Sequence, residues 1–238
     1  MAEVVERAQA YVVRIDHPNG CASGVLLGRD GLILTNQHVV QGSRSLVATT
    51  ADGTKATLEV LTYDRDRDLA LLQTTSTLPE PSPLAWTDDT SLGLGESILV
   101  LGYPFPSSRS PTDCSESITV TRGVLSGRLV ILGQPVLQTD APLNPGVSGG
   151  LAVTDTGGVA GLAFSGLSPS AAESVGFLIP ASAIEARLAQ WLPQLAAGQL
   201  EPPAVPDQIA FDSNRDGDRD IYVMDADGGN VRQLTDDP

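Results

Sequence analysis

The stretch DAPLNPGVSGG at residues 140–150 decides the fold, because it places Ser148 in a tight turn between glycines just after an extended strand. Glycine on both sides lets the backbone bend and lets another carbonyl approach closely. The N–H groups of Gly146 and Ser148 can then point together at a developing oxyanion. A serine hydroxyl alone is a weak nucleophile at neutral pH, so this interpretation requires a base and an orienting acid elsewhere in the chain.

Two histidines are candidates for that base, His17 and His38. His38 follows an apolar strand predicted over 31–36, through a short polar turn that can present its ring at a cleft. His17 lies between Asp16 and Pro18, in a stretch typical of a plain surface turn. We therefore expect His38 to be the base.

The acidic segment DRDRD at 64–68 supplies the candidate acid. Asp68 directly precedes the apolar run 69–72, a position that suits a shielded carboxylate holding a histidine tautomer. Asp64 and Asp66 are further from the apolar run and are expected to be solvated. The sequence thus indicates Asp68 as the orienting acid.

Each of these residues also has an ordinary explanation when it is taken alone. A Gly-Xaa-Ser-Gly-Gly turn occurs as a β-turn with a capping serine, a histidine after a strand is often structural, and an acidic cluster is usually a solvated face. Their occurrence together, in the order His, Asp, Ser, favours a chymotrypsin-type triad.

Six blocks of the sequence occur in the order seen in one known family. They are SGV at 23–25, TNQHV at 35–39, DLA at 68–70, LGYP at 101–104, NPGVSGG at 144–150 and VGFLIP at 175–180. Over residues 1 to 195 the chain resembles the HtrA/Deg branch of the trypsin-like serine proteases. One departure is Val147, which stands where most members place Asn or Asp.

The resemblance implies a serine endopeptidase that cleaves unfolded or flexible polypeptides. Its catalytic triad would be His38, Asp68 and Ser148, and its oxyanion hole the amides of Gly146 and Ser148. The alternative is a catalytically silent trypsin-like scaffold that serves as a peptide- or partner-binding module. No cofactor or metal is implied.

The resemblance also implies where the primary specificity pocket lies. Its floor would be Pro142, Leu143 and Asn144, and its walls would include Phe164 and Val175. These residues carry no carboxylate, and burying an unpaired Lys or Arg side chain there is costly. We therefore expect cleavage after small or medium aliphatic residues.

Short apolar or alternating runs, separated by Gly, Asp and Pro, predict a mainly β protein. Strands are predicted near 12–15, 21–28, 31–36, 45–50, 56–63, 69–75, 97–102, 117–132, 135–139, 150–154, 158–165 and 174–179. This number suits two packed six-stranded antiparallel β-barrels in a trypsin-like fold, with the triad between them. After Pro180 the period becomes helical, and a closing helix is predicted to bury Ile184, Leu188, Trp191, Leu192 and Leu195.

We predict three segments: a trypsin-like protease domain over 1–199, a Pro-rich linker over 200–207 and a β-hairpin tail over 208–238. The tail resembles one TolB-type β-propeller repeat. A single repeat cannot bury its own apolar face, so it is expected to be a fragment of a longer propeller that binds a protein partner.

A rival interpretation of the tail is a calcium loop with ligands from Asp212, Asn214, Asp216, Gly217, Asp218 and Asp220. However, Val223 occupies the position at which such a loop needs a bidentate Glu. The sequence therefore favours the repeat.

Composition limits the classes of partner. The net charge of −15 opposes binding to nucleic acid or to an anionic membrane, and no apolar run approaches the roughly 18 residues of a membrane span. Polypeptide substrates remain, and the oligomeric state is open. The start of the chain shows no signal peptide, whereas the resemblance implies work outside the cytoplasm, so the compartment is open.

The chain has two cysteines, Cys21 and Cys114. Cys21 precedes the strand that leads to His38, and the resemblance implies that the loop carrying Cys114 borders the same cleft. We expect the two to lie close together, either bridged or both free.

Overall fold

Strands dominate the structure, a computed structural model that describes residues 1–17, 20–43, 45–79, 81–104, 115–164, 175–200, 208–213, 220–225 and 231–235. The first barrel contains Val12–His17 (β1), Gly20–Leu26 (β2), Leu32–Thr35 (β3), Leu46–Thr49 (β4), Lys55–Asp64 (β5) and Leu69–Thr74 (β6). The second contains Ser97–Gly102 (β7), Thr119–Ile131 (β8), Gln134–Thr139 (β9), Leu151–Thr154 (β10), Val159–Phe164 (β11) and Gly176–Pro180 (β12).

Both barrels are closed and antiparallel. The strand order is β1-β2-β3-β6-β5-β4 in the first and β10-β11-β12-β9-β8-β7 in the second. The predicted fold class, two six-stranded barrels followed by a helix and a strand tail, is therefore confirmed.

Strands at the junction of the barrels are buried on both faces. In β6, Leu69 and Leu71 join an apolar cluster that spans the two barrels, whereas Ala70 and Leu72 fill the interior of the first barrel. Successive side chains of a strand point to opposite faces, so a strand between two cores reads as a continuous apolar run. Burying each such leucine contributes about 1.5–3 kcal/mol, which holds the barrels together.

Three α-helices accompany the described barrels: Ala2–Gln9 (α1), Gln37–Val40 (α2) and Ala181–Ala196 (α3). The closing helix α3 buries Ile184, Leu188 and Trp191 against the cluster between the barrels, as predicted. Its first turn receives a cap from a distant carboxylate, because Ser182 N–H donates to Asp89 in the short 3-10 helix Asp89–Ser91. Among the described residues, none of the helices combines the length and apolarity needed to cross a membrane.

The chain divides into two compact units, Met1–Pro202 and Pro203–Pro238. In the second unit, Gln208–Ser213 (β13) pairs antiparallel with Asp220–Asp225 (β14), and Arg232–Gln233 (β15) adds a short third strand to the predicted hairpin. The rings of Phe211 and Tyr222 stack with centroids 5.8 Å apart. Residues 214–219, which carry most of the rival calcium loop, lie outside the described residues.

Candidate active site

His38 and Asp68, predicted as base and acid, lie side by side at the edge of the first barrel. His38 sits on α2, which follows β3, and Asp68 directly precedes β6, the strand paired with β3. Nδ1 of His38 lies 2.7 Å from Oδ2 of Asp68, and the backbone N–H of His38 donates to Oδ1 over 2.9 Å. Since a carboxylate only accepts, Nδ1 carries the proton and Nε2 can take one.

Both side chains of the pair are partly exposed. The side chain of His38 is 42% exposed and that of Asp68 is 27% exposed. The sequence predicted a polar turn around His38, whereas the structure has one helical turn that projects the ring from the barrel edge. Asp68 therefore holds the imidazole on its Nδ1 side, and part of the ring remains exposed to solvent.

The turn before Asp68 is held by a buried carboxylate. Asp64 is 6% exposed, and its Oδ1 accepts the backbone N–H groups of Asp66 and Arg67 over 3.0 and 3.1 Å. The expectation that Asp64 is solvated was wrong, although Asp66 is exposed as predicted. Asn36, fully buried, donates from Nδ2 to the backbone oxygen of Asp68 over 3.0 Å.

Arginines from two elements compensate the charge of Asp64. Nη1 of Arg67 donates to Oδ2 over 3.0 Å. Nε of Arg187, on α3, lies 3.0 Å from the same oxygen, close enough for an ion pair although its N–H does not point at it. The guanidinium of Arg187 also stacks 5.0 Å from the ring of Trp191. This network ties the closing helix to the turn that ends at Asp68.

Ser148 lies in a compact turn between β9 and β10 and is 5% exposed. Within the turn, Val147 N–H donates to the carbonyl of Asn144 and Gly150 N–H to that of Val147, over 3.1 and 2.8 Å. Gly146 has a φ of +93°, a conformation that side chains rarely allow. The sequence GVSGG thus forms the glycine-dependent turn that it predicts.

This turn packs directly on the first barrel. Ser23 N–H donates to the carbonyl of Ser148 over 2.8 Å. A Cβ atom at Gly149 would collide with the carbonyl oxygen of Ser23 and with the hydroxyl of Thr35. Thr35 ends the strand that leads into α2, so the turn that carries Ser148 lies against the elements that carry His38.

His17 is not the plain surface residue that its sequence suggested. It ends β1 as a half-buried side chain. Burial lowers its pKa and the charge of His38 lowers it further, while the carboxylate of Asp16 opposes both effects. Both histidines therefore belong to the same neighbourhood, which periodicity within a single strand cannot reveal.

The residues assigned to the specificity pocket occupy different surroundings. Leu143 is partly buried and packs against the interior cluster of the second barrel, and a Cβ at Gly176 would lie 2.7 Å from its Cδ1 atom. Phe164 packs instead on the cluster between the barrels and lines a cavity of about 150 Å³ together with Asp68. The partly exposed Val175 and the exposed pair Pro142 and Asn144 remain accessible at the surface.

Cys21 is buried in β2 and is disulfide-bonded. Cys114, which we expected to lie close to Cys21, is outside the described residues.

The fold and this arrangement of elements define a class of protein. Residues 22–162 match the model of the trypsin-like peptidase domain, and the chain belongs to this family. Within it, the relatives are HtrA-type proteases. Protease Do-like 1, chloroplastic, of Arabidopsis thaliana is 32% identical over 188 residues, which cover 75% of this chain and 41% of that protein. Serine protease Do-like HtrA of Bacillus subtilis is 32% identical over 203 residues, covering 80% and 42%.

Among solved structures, the HtrA-type protease AlgW with a tripeptide superposes with a TM-score of 0.69 at 26% identity. The match covers 83% of this chain and 64% of that one. The chain spans about two fifths of the length of the two curated relatives.

Proposed function

We propose that this protein is a serine endopeptidase in which Ser148, His38 and Asp68 act as a catalytic triad. The observation that carries the proposal is the pairing of His38 and Asp68 through two contacts of 2.7 and 2.9 Å. One carboxylate contact on the ring and a second on the backbone restrict the imidazole to one tautomer and one orientation. The family and the HtrA-type relatives support the same chemistry.

The proposed reaction has two halves. Ser148 Oγ attacks the carbonyl carbon of the scissile peptide bond while His38 Nε2 accepts the hydroxyl proton. The amides of Gly146 and Ser148 stabilise the oxyanion, and His38 returns the proton to the departing amine. A water molecule, deprotonated by His38, then hydrolyses the acyl-enzyme and regenerates Ser148.

Hydrolysis of a labelled, unfolded protein such as casein tests this proposal. Ser148→Ala and His38→Ala should each lower turnover on the order of 10⁴- to 10⁶-fold while circular dichroism stays unchanged. Ser115→Ala is the matched control, because within the described residues the hydroxyl of this partly exposed side chain bonds to the neighbouring Ser117. It should retain full activity. If Ser148→Ala kept most of the wild-type activity, the triad would be wrong and a binding scaffold would be favoured.

We further propose cleavage after small or medium aliphatic residues such as Val, Ala or Leu. The residues before the nucleophile, Pro142 to Asn144, offer no carboxylate that could pair with Lys or Arg. Leu143 adds apolar surface beside Gly176. Mass-spectrometric mapping of casein fragments should therefore show Val, Ala and Leu on the acyl side of the cut; fragments that end in Lys or Arg would contradict the proposed pocket.

We infer that the tail over 208–238 is a single TolB-type β-propeller repeat. It follows a protease domain over 1–199 and a linker over 200–207. Three described strands pair antiparallel, and a propeller blade is built from four. Asp220, 1% exposed, accepts hydrogen bonds from Gln233 and Thr235 over 2.8 and 2.7 Å and so fixes the third strand. The proposed role is binding of a protein partner.

A further inference from the structure

Ser23, on β2, joins three elements that the proposed mechanism needs. Ser23 is fully buried. Its N–H donates to the carbonyl of Ser148 over 2.8 Å, and its carbonyl accepts the hydroxyl of Thr35 over 2.7 Å. Its hydroxyl donates to the carbonyl of Gly146 and accepts the N–H of Tyr103, both over 2.8 Å. The four bonds connect the strand leading to His38 with both ends of the nucleophile turn.

The two carbonyls held by Ser23 belong to the residues whose amides form the proposed oxyanion hole. A carbonyl fixed in space fixes the plane of its own peptide group. The peptide group that contains the Gly146 carbonyl lies between the two peptide groups that carry the N–H of Gly146 and the N–H of Ser148, so its plane limits how both can turn. This matters at Gly146, because its φ of +93° lies in a region where glycine alone rotates freely. The Ser23 hydroxyl therefore supplies an anchor that a glycine-rich turn lacks by itself.

The surroundings leave room for a hydroxyl at this point. A Cβ atom at Gly102 would lie 2.9 Å from Ser23 Oγ and 3.2 Å from Cγ1 of Val147. Glycine at 102 thus lets β7 approach both the hydroxyl and the turn. Because Ser23 Oγ is bonded on both its donor and acceptor sides, it has one defined orientation.

We propose that Ser23 is a positioning residue, whose hydroxyl bridge between Tyr103 and Gly146 aligns the amides of Gly146 and Ser148 for the transition state. This inference rests on the proposed endopeptidase function. The competing explanation is a hydroxyl that only stabilises the junction of the barrels. The two explanations predict different catalytic rates for a folded protein that lacks the Ser23 hydroxyl.

Ser23→Ala tests the proposal, because it removes the hydroxyl while the backbone bonds to Ser148 and Thr35 remain. Oxyanion stabilisation acts in the transition state and not on the bound substrate. For the full chain we therefore expect kcat on an aliphatic peptide substrate to fall about 10- to 100-fold with KM nearly unchanged. Affinity for a peptidyl boronic acid, which forms a tetrahedral serine adduct, should fall in parallel, whereas affinity for the matching peptide amide should not.

Thr154→Val is the matched control. Thr154 is 6% exposed at the far end of β10, where its hydroxyl accepts the N–H of Gly158 over 3.2 Å. It should keep wild-type kcat and boronate affinity. A folded Ser23→Ala protein with wild-type kcat and boronate affinity would overturn the proposal, as would an equal loss of kcat in both variants.

A second variant covers the case in which Ser23→Ala does not fold. Gly102→Ala keeps the hydroxyl but displaces it, and it should lower kcat at constant KM; an unchanged kcat would overturn the positioning role. Ser148→Ala distinguishes a failure of the positioning role from a failure of the proposed endopeptidase function. If Ser148→Ala is inactive and Ser23→Ala is fully active, the positioning role alone fails, whereas an active Ser148→Ala protein refutes the proposed function itself.

Discussion

Asp68 combines a left-handed backbone conformation with a carboxylate that contacts His38. Its φ of +53° lies in the left-handed region, which costs an ordinary L-residue about 1–2 kcal/mol and which Asp and Asn tolerate best. Asn36 donates to its carbonyl, and both carboxylate oxygens face His38. The turn therefore points the carboxylate at the ring, and only a residue that accepts both strain and charge suits this position.

Asp68→Asn is expected to keep the backbone conformation while it removes the carboxylate. Asn also tolerates the left-handed backbone, so the melting temperature should change little. An amide can donate to Nδ1 and favour the wrong tautomer of His38, so kcat on a peptide substrate should fall on the order of 10⁴-fold. Kinetics and thermal unfolding of the same sample check this, and an Asn variant with more than a tenth of wild-type kcat would contradict it.

His17 gives a pH-dependent contribution to stability. Its folded pKa is lowered by burial and by the charge of His38, so the unfolded chain takes up the proton first as the pH falls. The group contributes nothing well above its unfolded value near 6.5, and it destabilises the fold as the pH drops through that value towards the lower folded one. His17→Gln removes this titration.

Thermal unfolding of wild type and His17→Gln between pH 8 and pH 5 measures the effect. We expect the melting temperature of the wild type to fall more steeply below about pH 6.5. If the melting temperatures of the two proteins changed with pH in parallel, the pKa of His17 would be the same in the folded and the unfolded state, which would contradict this expectation.

At the scale of elements, a polar network links α3 to the turn that ends at Asp68. Asp64 accepts two backbone N–H groups and faces Arg67 and Arg187. The guanidiniums are 37% and 27% exposed, so solvent screens part of their attraction. The buried carboxylate, 6% exposed, keeps most of its hydrogen-bond contribution.

Asp64→Asn should therefore lower the free energy of unfolding by about 1–3 kcal/mol, because an amide nitrogen meets donors where an oxygen accepted them. Asp66→Asn, exposed in the same turn, is the control and should change it by less than about 0.5 kcal/mol. Urea unfolding compares the two variants. Equal effects would mean that Asp64 contributes no more than its exposed neighbour.

The elements also show how far the sequence could be interpreted. The strands were predictable, because apolar runs such as 69–72 are buried on both faces and have sharp polar ends. The helix α2 was not, since four residues are too few to display a helical period. The contacts of Ser23 escaped prediction for a different reason: the partner of its hydroxyl, Gly146, is 123 residues away in the sequence. Asp64 has local partners in Asp66 and Arg67, but it also pairs with Arg187 on α3, which its own segment could not reveal.

At the scale of the whole molecule, the chain divides into a two-barrel unit, Met1–Pro202, and a strand unit, Pro203–Pro238. All proposed catalytic residues belong to the first unit. Leu200 packs on the cluster between the barrels, so a clean truncation must retain it. We therefore expect a chain that ends at Pro202 to keep its peptidase activity.

Casein hydrolysis and thermal unfolding of this truncated chain check the expectation. The kcat/KM of the truncated chain should match that of the full chain within about a factor of two, and the melting temperature of the full chain should not respond to calcium. Loss of activity on truncation, or calcium stabilisation that only the full chain shows, would contradict the propeller-repeat proposal and favour a functional tail.

The most direct measurement of the central claim is labelling of the intact chain with a serine-directed fluorophosphonate, followed by peptide mass spectrometry. The reagent reacts with a serine only when a base activates it and an oxyanion site stabilises the phosphoryl oxygen. We predict one adduct per chain, on the peptide containing Ser148, and its loss in both Ser148→Ala and His38→Ala. A wild-type chain that is not labelled, or an adduct that persists in Ser148→Ala, would contradict the account.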